Sequence, residues 1–175
     1  MAIERIDSKV VHEGAIATVR RDTFRHADGS TTEREVVGHP GAVAVVAHDS
    51  GTLYLVRQPR EAVGAEALLE LPAGKLDVEG ETPLECAQRE LVEEIGREAA
   101  EWRELKRIYT SPGFAEEEVV ILEATGLREV DHEPDPEERI EVVEWPLEDV
   151  AGAIDACEDA KSLVGLLLFE RRLRR

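Results

Sequence analysis

The chain has 175 residues, of which 42% are hydrophobic, enough for one domain to bury a core without disulfides or structural metals. Its 21 basic and 39 acidic residues give a net charge of −18, which argues against a nucleic-acid partner because such binders need a basic surface. No apolar run approaches the roughly 20 residues of a membrane helix, and the N-terminus MAIERIDSKVVHEG lacks a signal-peptide pattern. A cytoplasmic protein without a membrane partner is therefore expected. Cys86 and Cys157 have no Cys or His neighbour at ligand spacing and read as small packed residues.

Taken in order, residues 15–38 predict a hairpin with Asp28-Gly29 in its turn. The continuous apolar run 41–48 suits a strand buried on both faces. TLYLVRQ follows as a second strand, and ALLEL at 67–71 as a short third one ended by Pro72. The clearest helix is 82–95. Thr82 caps it, Pro83 suits its first turn, Glu85 completes a capping box and Gly96 stops it. Leu84, Ala87, Leu91 and Ile95 form its apolar stripe. Strands are expected near 104–109, 117–124 and 139–143, then two C-terminal helices, PLEDVAGAID and DAKSLVGLLLFERRLRR. Many strands and few helices indicate an α/β or α+β sandwich.

The chemistry is concentrated between Gly74 and Gly96. On a helix, Glu90 and Glu94 lie about 40° apart and Glu90 and Glu93 about 60° apart, so three carboxylates share one sector. Like charges this close oppose helix formation. A divalent cation relieves that repulsion, and hard oxygen ligands suit Mg²⁺ or Mn²⁺. A solvated acidic helix face is the alternative, given the acidity of the chain.

The stretch GKLDVEGETPLECAQRELVEEIG resembles the Nudix box, G-x5-E-x7-R-E-U-x-E-E-x-G-U, in which U is apolar. Glu81, Arg89, Glu90, Leu91, Glu93, Glu94 and Gly96 match in order. Two positions depart from the pattern. Six residues rather than five separate Gly74 from Glu81, and Arg97 holds the final apolar place. The resemblance implies that Glu90 and Glu94 are the chief metal ligands, with Glu93 a direct or water-mediated one and Arg89 orienting them. It also implies a ligand role for the Ala73 carbonyl.

HPGAVAVV, LVRQPREAVG, LELPAGKLD, TSPGFAEEEV and DAKSLVGLLLF resemble the ADP-ribose pyrophosphatase subfamily over most of the chain. That likeness implies an α/β/α sandwich with a mixed sheet and an N-terminal β-extension, forming a single Nudix domain. Residues 1–38 are expected to supply dimerisation strands and 39–175 the Nudix core. The implied reaction is hydrolysis of ADP-ribose to AMP and ribose 5-phosphate. The loop after Ser111-Pro112-Gly113, with Gly113 and Phe114 at the substrate, would present Glu117 as the general base, with Glu116 the alternative in register. Arg60 would hold the diphosphate. Arg34 would reach the base from the other subunit of a homodimer, with Phe24 the alternative for stacking. Glu70 would either touch substrate or brace the site. Rival readings are another nucleoside diphosphate substrate, such as a GDP-sugar, a dinucleotide or a dinucleoside polyphosphate, and a non-catalytic ADP-ribose sensor.

Overall fold

The computed structural model describes residues 2–14, 17–132 and 139–174. The chain forms two compact units. One is Met1–Gly41 with Tyr109–Glu118, and the other is Ala42–Ile108 with Val119–Arg175.

The first unit is built on a three-stranded antiparallel sheet in the order β1-β2-β3, comprising Ile3–Glu13, Thr18–His26 and Thr31–Gly38. The β2–β3 hairpin is the expected one. Gly29 takes φ +82° in its turn, a conformation glycine adopts without steric cost, while Asp28 accepts hydrogen bonds from the Ser30 amide and hydroxyl. Strand β1 lies within the strands expected over 1–38, but its own bounds are not legible, because polar and apolar residues do not alternate along IERIDSKVVHE. All eleven of its residues are exposed, including Ile3, Val10 and Val11.

The second unit contains a seven-stranded mixed sheet. Its path is β10-β5-β4-β9-β8, with β6 added to β5 and β7 to β4. These strands are β4 Ala42–Asp49, β5 Thr52–Arg60, β6 Ala65–Glu70, β7 Ala73–Lys75, β8 Arg97–Tyr109, β9 Glu118–Glu129 and β10 Glu141–Pro146. β4 runs parallel to β9 and antiparallel to β5 and β7. Because strand side chains alternate between faces, β4 feeds two cores. Val43, Val45 and Ala47 pack with Cys86, Ala87, Leu91 and Ile95 of helix α1, Pro83–Ile95. Ala42, Ala44 and Val46 pack on the other face with Ala153 of α2, Val150–Ala156, and with Leu166 and Phe169 of α3, Ala160–Leu173. This is the expected α/β/α sandwich.

Helix α1 begins with the capping box read from sequence. The Thr82 hydroxyl accepts from the Glu85 amide, and the Glu85 carboxylate accepts from the Thr82 amide. It ends where Gly96 turns left-handed at φ 63° and donates its N–H to Leu91 and Val92. One expectation fails on this helix. Leu84 is 41% exposed, and Cys86 takes its place in the core at 0%. Pro83 at N1 makes Leu84 the second helical residue, and the first turn leaves it outside the core. Arg97, in place of the box's final apolar residue, lies over the Tyr54 ring at 4.8 Å, a cation–π contact. Glu129 and Glu144 lie 3.8 and 3.9 Å from its guanidinium. Among the described residues, no helix is long and apolar enough to cross a membrane.

Candidate active site

The three box glutamates of α1 differ widely in exposure. The side chain of Glu93 is 51% exposed and that of Glu90 14%, while Glu94 is buried at 7%. Arg89 threads this set. Its Nη1 donates to Glu90 and to Glu93, each at 2.8 Å, and its Nε and Nη2 donate to the two oxygens of Glu81 at 2.9 and 3.0 Å. Such forked pairing is what a planar guanidinium favours. The hydrogen bond to Glu81, followed by the charge of Glu90, pushes the Arg89 pKa upward and fixes its charge. The same contact holds Glu81 below the usual carboxylate range.

Opposite α1 lies β7. The Ala73 amide donates to Glu94 Oε2 at 2.9 Å. Gly74 next to it leaves room for Glu90, since a Cβ there would fall 1.9 Å from the Glu90 carboxyl carbon. A side chain at this position would fill the cradle in which the Glu90 carboxylate lies. Among the described residues, no three Asp, Glu, His or Cys side chains are already gathered around one point as a metal would need. Glu93 is turned to Arg89 and Glu94 to the Ala73 amide. The donor chemistry nonetheless fits a hard divalent ion, with carboxylates on adjacent turns and one of them lodged in the Gly74 cradle. The sequence reading assigns the Ala73 carbonyl a role. The hydrogen bond seen at this residue is made by its amide.

A second group in this unit surrounds Glu70, which is 1% exposed. Arg60 donates to it through Nε and Nη2 at 2.6 and 2.8 Å, and Lys161 through Nζ at 2.6 Å. Burial on its own raises the Glu70 pKa, but the Arg60 hydrogen bonds and the Lys161 charge outweigh it and hold the carboxyl low. Asp159 lies 2.9 Å from Lys161 and caps α3 by accepting from the Ser162 amide at 3.0 Å and hydroxyl at 2.5 Å. Burial raises its pKa as well, and the nearby Lys161 charge reverses that. Sequence reasoning found Arg60 and Glu70 but missed Lys161 and Asp159. The available signal was the D-x-x-S helix start of DAKS.

The remaining expected residues lie in the first unit. The Glu117 carboxylate accepts from the Thr110 hydroxyl at 2.5 Å and lies 3.8 Å from His39 Nε2. Glu116 is instead bound by Arg20 at 2.5 Å, and Arg20 also reaches the buried Asp22 at 3.5 Å. Adjacent glutamates thus face different partners. Arg20, His39 and Glu116 line an open cleft of about 440 Å³ with Thr18 and Gly38. Gly113 and Phe114 are exposed, the latter at 59%. Arg34 is an exposed residue of β3 that donates to the Glu33 carbonyl at 2.8 Å. Phe24 is half-buried on β2.

Residues 38–164 match the NUDIX domain, and residues 3–37 match the nucleoside diphosphate sugar hydrolase N-terminal domain. The chain is 50% identical over 128 residues to an ADP-ribose pyrophosphatase of Mycobacterium tuberculosis, a match covering 73% of this chain and 61% of that one. It is 37% identical over 162 residues to an ADP-ribose pyrophosphatase of Bacillus subtilis, covering 90% and 86%. A crystal structure of an ADP compounds hydrolase shares the fold at a TM-score of 0.85 and 24% identity, over 99% of this chain and 95% of that one. With a domain match across most of its length and two relatives well above 30% identity, this chain belongs to the Nudix family of hydrolases.

Proposed function

We propose that the protein hydrolyses the diphosphate linkage of ADP-ribose, giving AMP and ribose 5-phosphate. The observation that carries this reading is the packing of Glu90 against Gly74, which reserves space for a carboxylate beside Glu94 and the Ala73 backbone. The names borne by the M. tuberculosis and B. subtilis relatives support the substrate.

Nudix hydrolases generally require a divalent metal, and we assign Mg²⁺, with Mn²⁺ as a substitute. Glu90 and Glu94 would hold it, with Glu93 and the Ala73 carbonyl as further oxygen donors. A bound ion of this kind lowers the pKa of water and offsets charge on the diphosphate. The protein's own contribution is positioning and electrostatics. Arg89 keeps Glu90 and Glu93 oriented. Arg60 binds the diphosphate through the guanidinium donors not used by Glu70. Glu117 accepts the proton of the attacking water. Glu116 is the poorer candidate because Arg20 already neutralises it.

The enzyme acts as a cytoplasmic homodimer in this reading. The support is β1, exposed along its whole length with Ile3, Val10 and Val11 uncovered, a surface that a second copy would bury. Arg34, or Phe24, then serves the neighbouring subunit's substrate.

The test is a substrate panel with Mg²⁺, with products separated by chromatography and EDTA as control. Metal-dependent release of AMP from ADP-ribose supports the proposal. Cleavage of a GDP-sugar or dinucleotide with ADP-ribose intact overturns the substrate and keeps the chemistry. Binding of ADP-ribose without cleavage of anything makes the protein a sensor. Light scattering that gives a monomer at micromolar concentration removes the dimer.

A further inference from the structure

Glu70 is one buried negative charge met by two cations. Arg60 spends Nε on Oε1 and Nη2 on Oε2, and Lys161 donates to that same Oε2 at 2.6 Å. A buried ion must be paired well to be tolerated, but one cation with two good hydrogen bonds already does that. The second cation therefore needs a reason. Asp159, 2.9 Å from Lys161, is its second carboxylate partner. Asp159 accepts from the Ser162 amide and hydroxyl and sits at the N-cap of α3, where the helix dipole favours an anion. The Ser162 hydroxyl oxygen accepts in turn from the Leu71 amide at 2.8 Å. That bond fastens the start of α3 to the residue that follows Glu70.

The consequence falls on Arg60. Facing Glu70 alone, its charge would be neutralised by that carboxylate. Asp159 belongs to the same cluster, so with Lys161 present the four charges cancel, and without it Glu70 and Asp159 would outweigh Arg60 by one negative charge. Two of the guanidinium's five N–H groups are used on Glu70, and the Arg60 side chain is 41% exposed. The unused donors are held in a fixed orientation on a cation whose surroundings Lys161 keeps from becoming net negative.

We infer that Lys161 is a positioning residue for Arg60: by sharing the charge of Glu70 it leaves Arg60 fixed yet available to the diphosphate of a nucleoside diphosphate substrate. This rests on Arg60 being the diphosphate-binding group, as proposed above. Lys161 itself is 16% exposed and acts through Arg60.

Steady-state kinetics with ADP-ribose and saturating Mg²⁺ on Arg60→Gln, Lys161→Met and the double variant test it. Each single change is expected to raise KM on the order of 10-fold, the worth of one charge-assisted hydrogen bond, with kcat held within about 3-fold. The double variant should be no worse than Arg60→Gln, because residues acting as one unit are not additive. Lys161→Arg, which keeps the cation, should return KM toward the wild-type value. If Lys161→Met does not fold, Lys161→Gln keeps a donor without the charge and should show the same KM effect.

The inference is overturned if Arg60→Gln raises KM while the uncharged Lys161 variants do not. It is equally overturned if the two effects multiply, or if Lys161→Met lowers kcat at unchanged KM. An unchanged KM in Arg60→Gln removes the assignment of Arg60 itself, which is a separate and recognisable result.

Discussion

Replacing Gly74 by alanine separates what Glu90 does for turnover from what it does for the fold. The new Cβ would sit 1.9 Å from the Glu90 carboxyl carbon and 2.1 Å from its Cγ. Carbon atoms pack at about 3.5 Å or more, so the carboxylate must retreat by about 1.6 Å. Gly74 is not among the glycines with left-handed backbone, so alanine fits the strand conformation there. The change should stabilise by about 0.4–1 kcal/mol through the unfolded chain, offsetting about 0.5–1.5 kcal/mol for a displaced rotamer. Stability measured by urea denaturation should therefore stay within about 1 kcal/mol of the parent. Turnover should not survive as well, since a displacement of about 1 Å in a reacting constellation costs on the order of 10²-fold. We expect kcat for ADP-ribose at saturating Mg²⁺ to fall by about that factor. Full activity in Gly74→Ala would show that the position of Glu90 does not matter to the reaction. Gross unfolding would show that Glu90 cannot swing aside and that the cradle is a rigid part of the core.

Glu94→Gln should lower kcat on the order of 10³-fold with the thermal midpoint little changed, because the carboxylate proposed as a metal ligand is lost while its oxygen can still accept from the Ala73 amide. Glu117→Gln should cost on the order of 10²–10⁴ in kcat, the usual share of a general base, whereas Glu118→Gln should cost little; equal losses would show that the wrong glutamate of the loop has been chosen. The lowered pKa values of Glu70 and Asp159 make a signed prediction. Their contribution to stability is complete above the unfolded carboxylate values of about 4 and is lost as pH falls below them toward the folded values. Urea midpoints measured from pH 6 to pH 3 should drop more steeply for the parent than for Glu70→Gln, and parallel curves would refute the linkage. Burial pushes the Cys86 thiol up to about 12, so neither it nor the buried Cys157 should react with a thiol reagent at pH 8 until the protein is denatured. Rapid native labelling would contradict that packing.

Local signals carried the sequence reading furthest. The α1 boundaries, the capping box and the Gly96 stop are interactions within a few residues, and each was legible as written. So was the double-faced burial of β4, because an uninterrupted apolar run leaves no polar side to expose. The losses occurred where partners are distant or patterns weak. β7 is three residues long and exists only by pairing with β4, so periodicity could not reveal it. β1 lacked alternation because both of its faces are exposed in this chain. Strand β8 began at Arg97, well before the expected 104, because its polar residues masked the run. Lys161 and Glu70 are 91 residues apart, and no local rule links a helix start to the end of a strand that far away. The three consecutive glutamates were ambiguous in sequence, and only the environment separated them, with Arg20 at Glu116 and Thr110 at Glu117.

The segment joining Gly74 to Glu81 is one residue longer than the usual box allows, yet nothing downstream is out of register. Both of its ends are anchored independently. Gly74 is held in the β4–β7 ladder opposite Val43, and Glu81 is gripped by the fork of Arg89. Thr82 and Glu85 then set where α1 begins without reference to the loop. The connection keeps contacts of its own, with the Glu81 amide donating to the Val78 carbonyl and Leu76 packed against the core under α1, and an added residue costs only the small increment of a longer closure. With six residues in this connection Glu81 still meets the Arg89 fork, so the position of the glutamates here is set by the helix and its clamp.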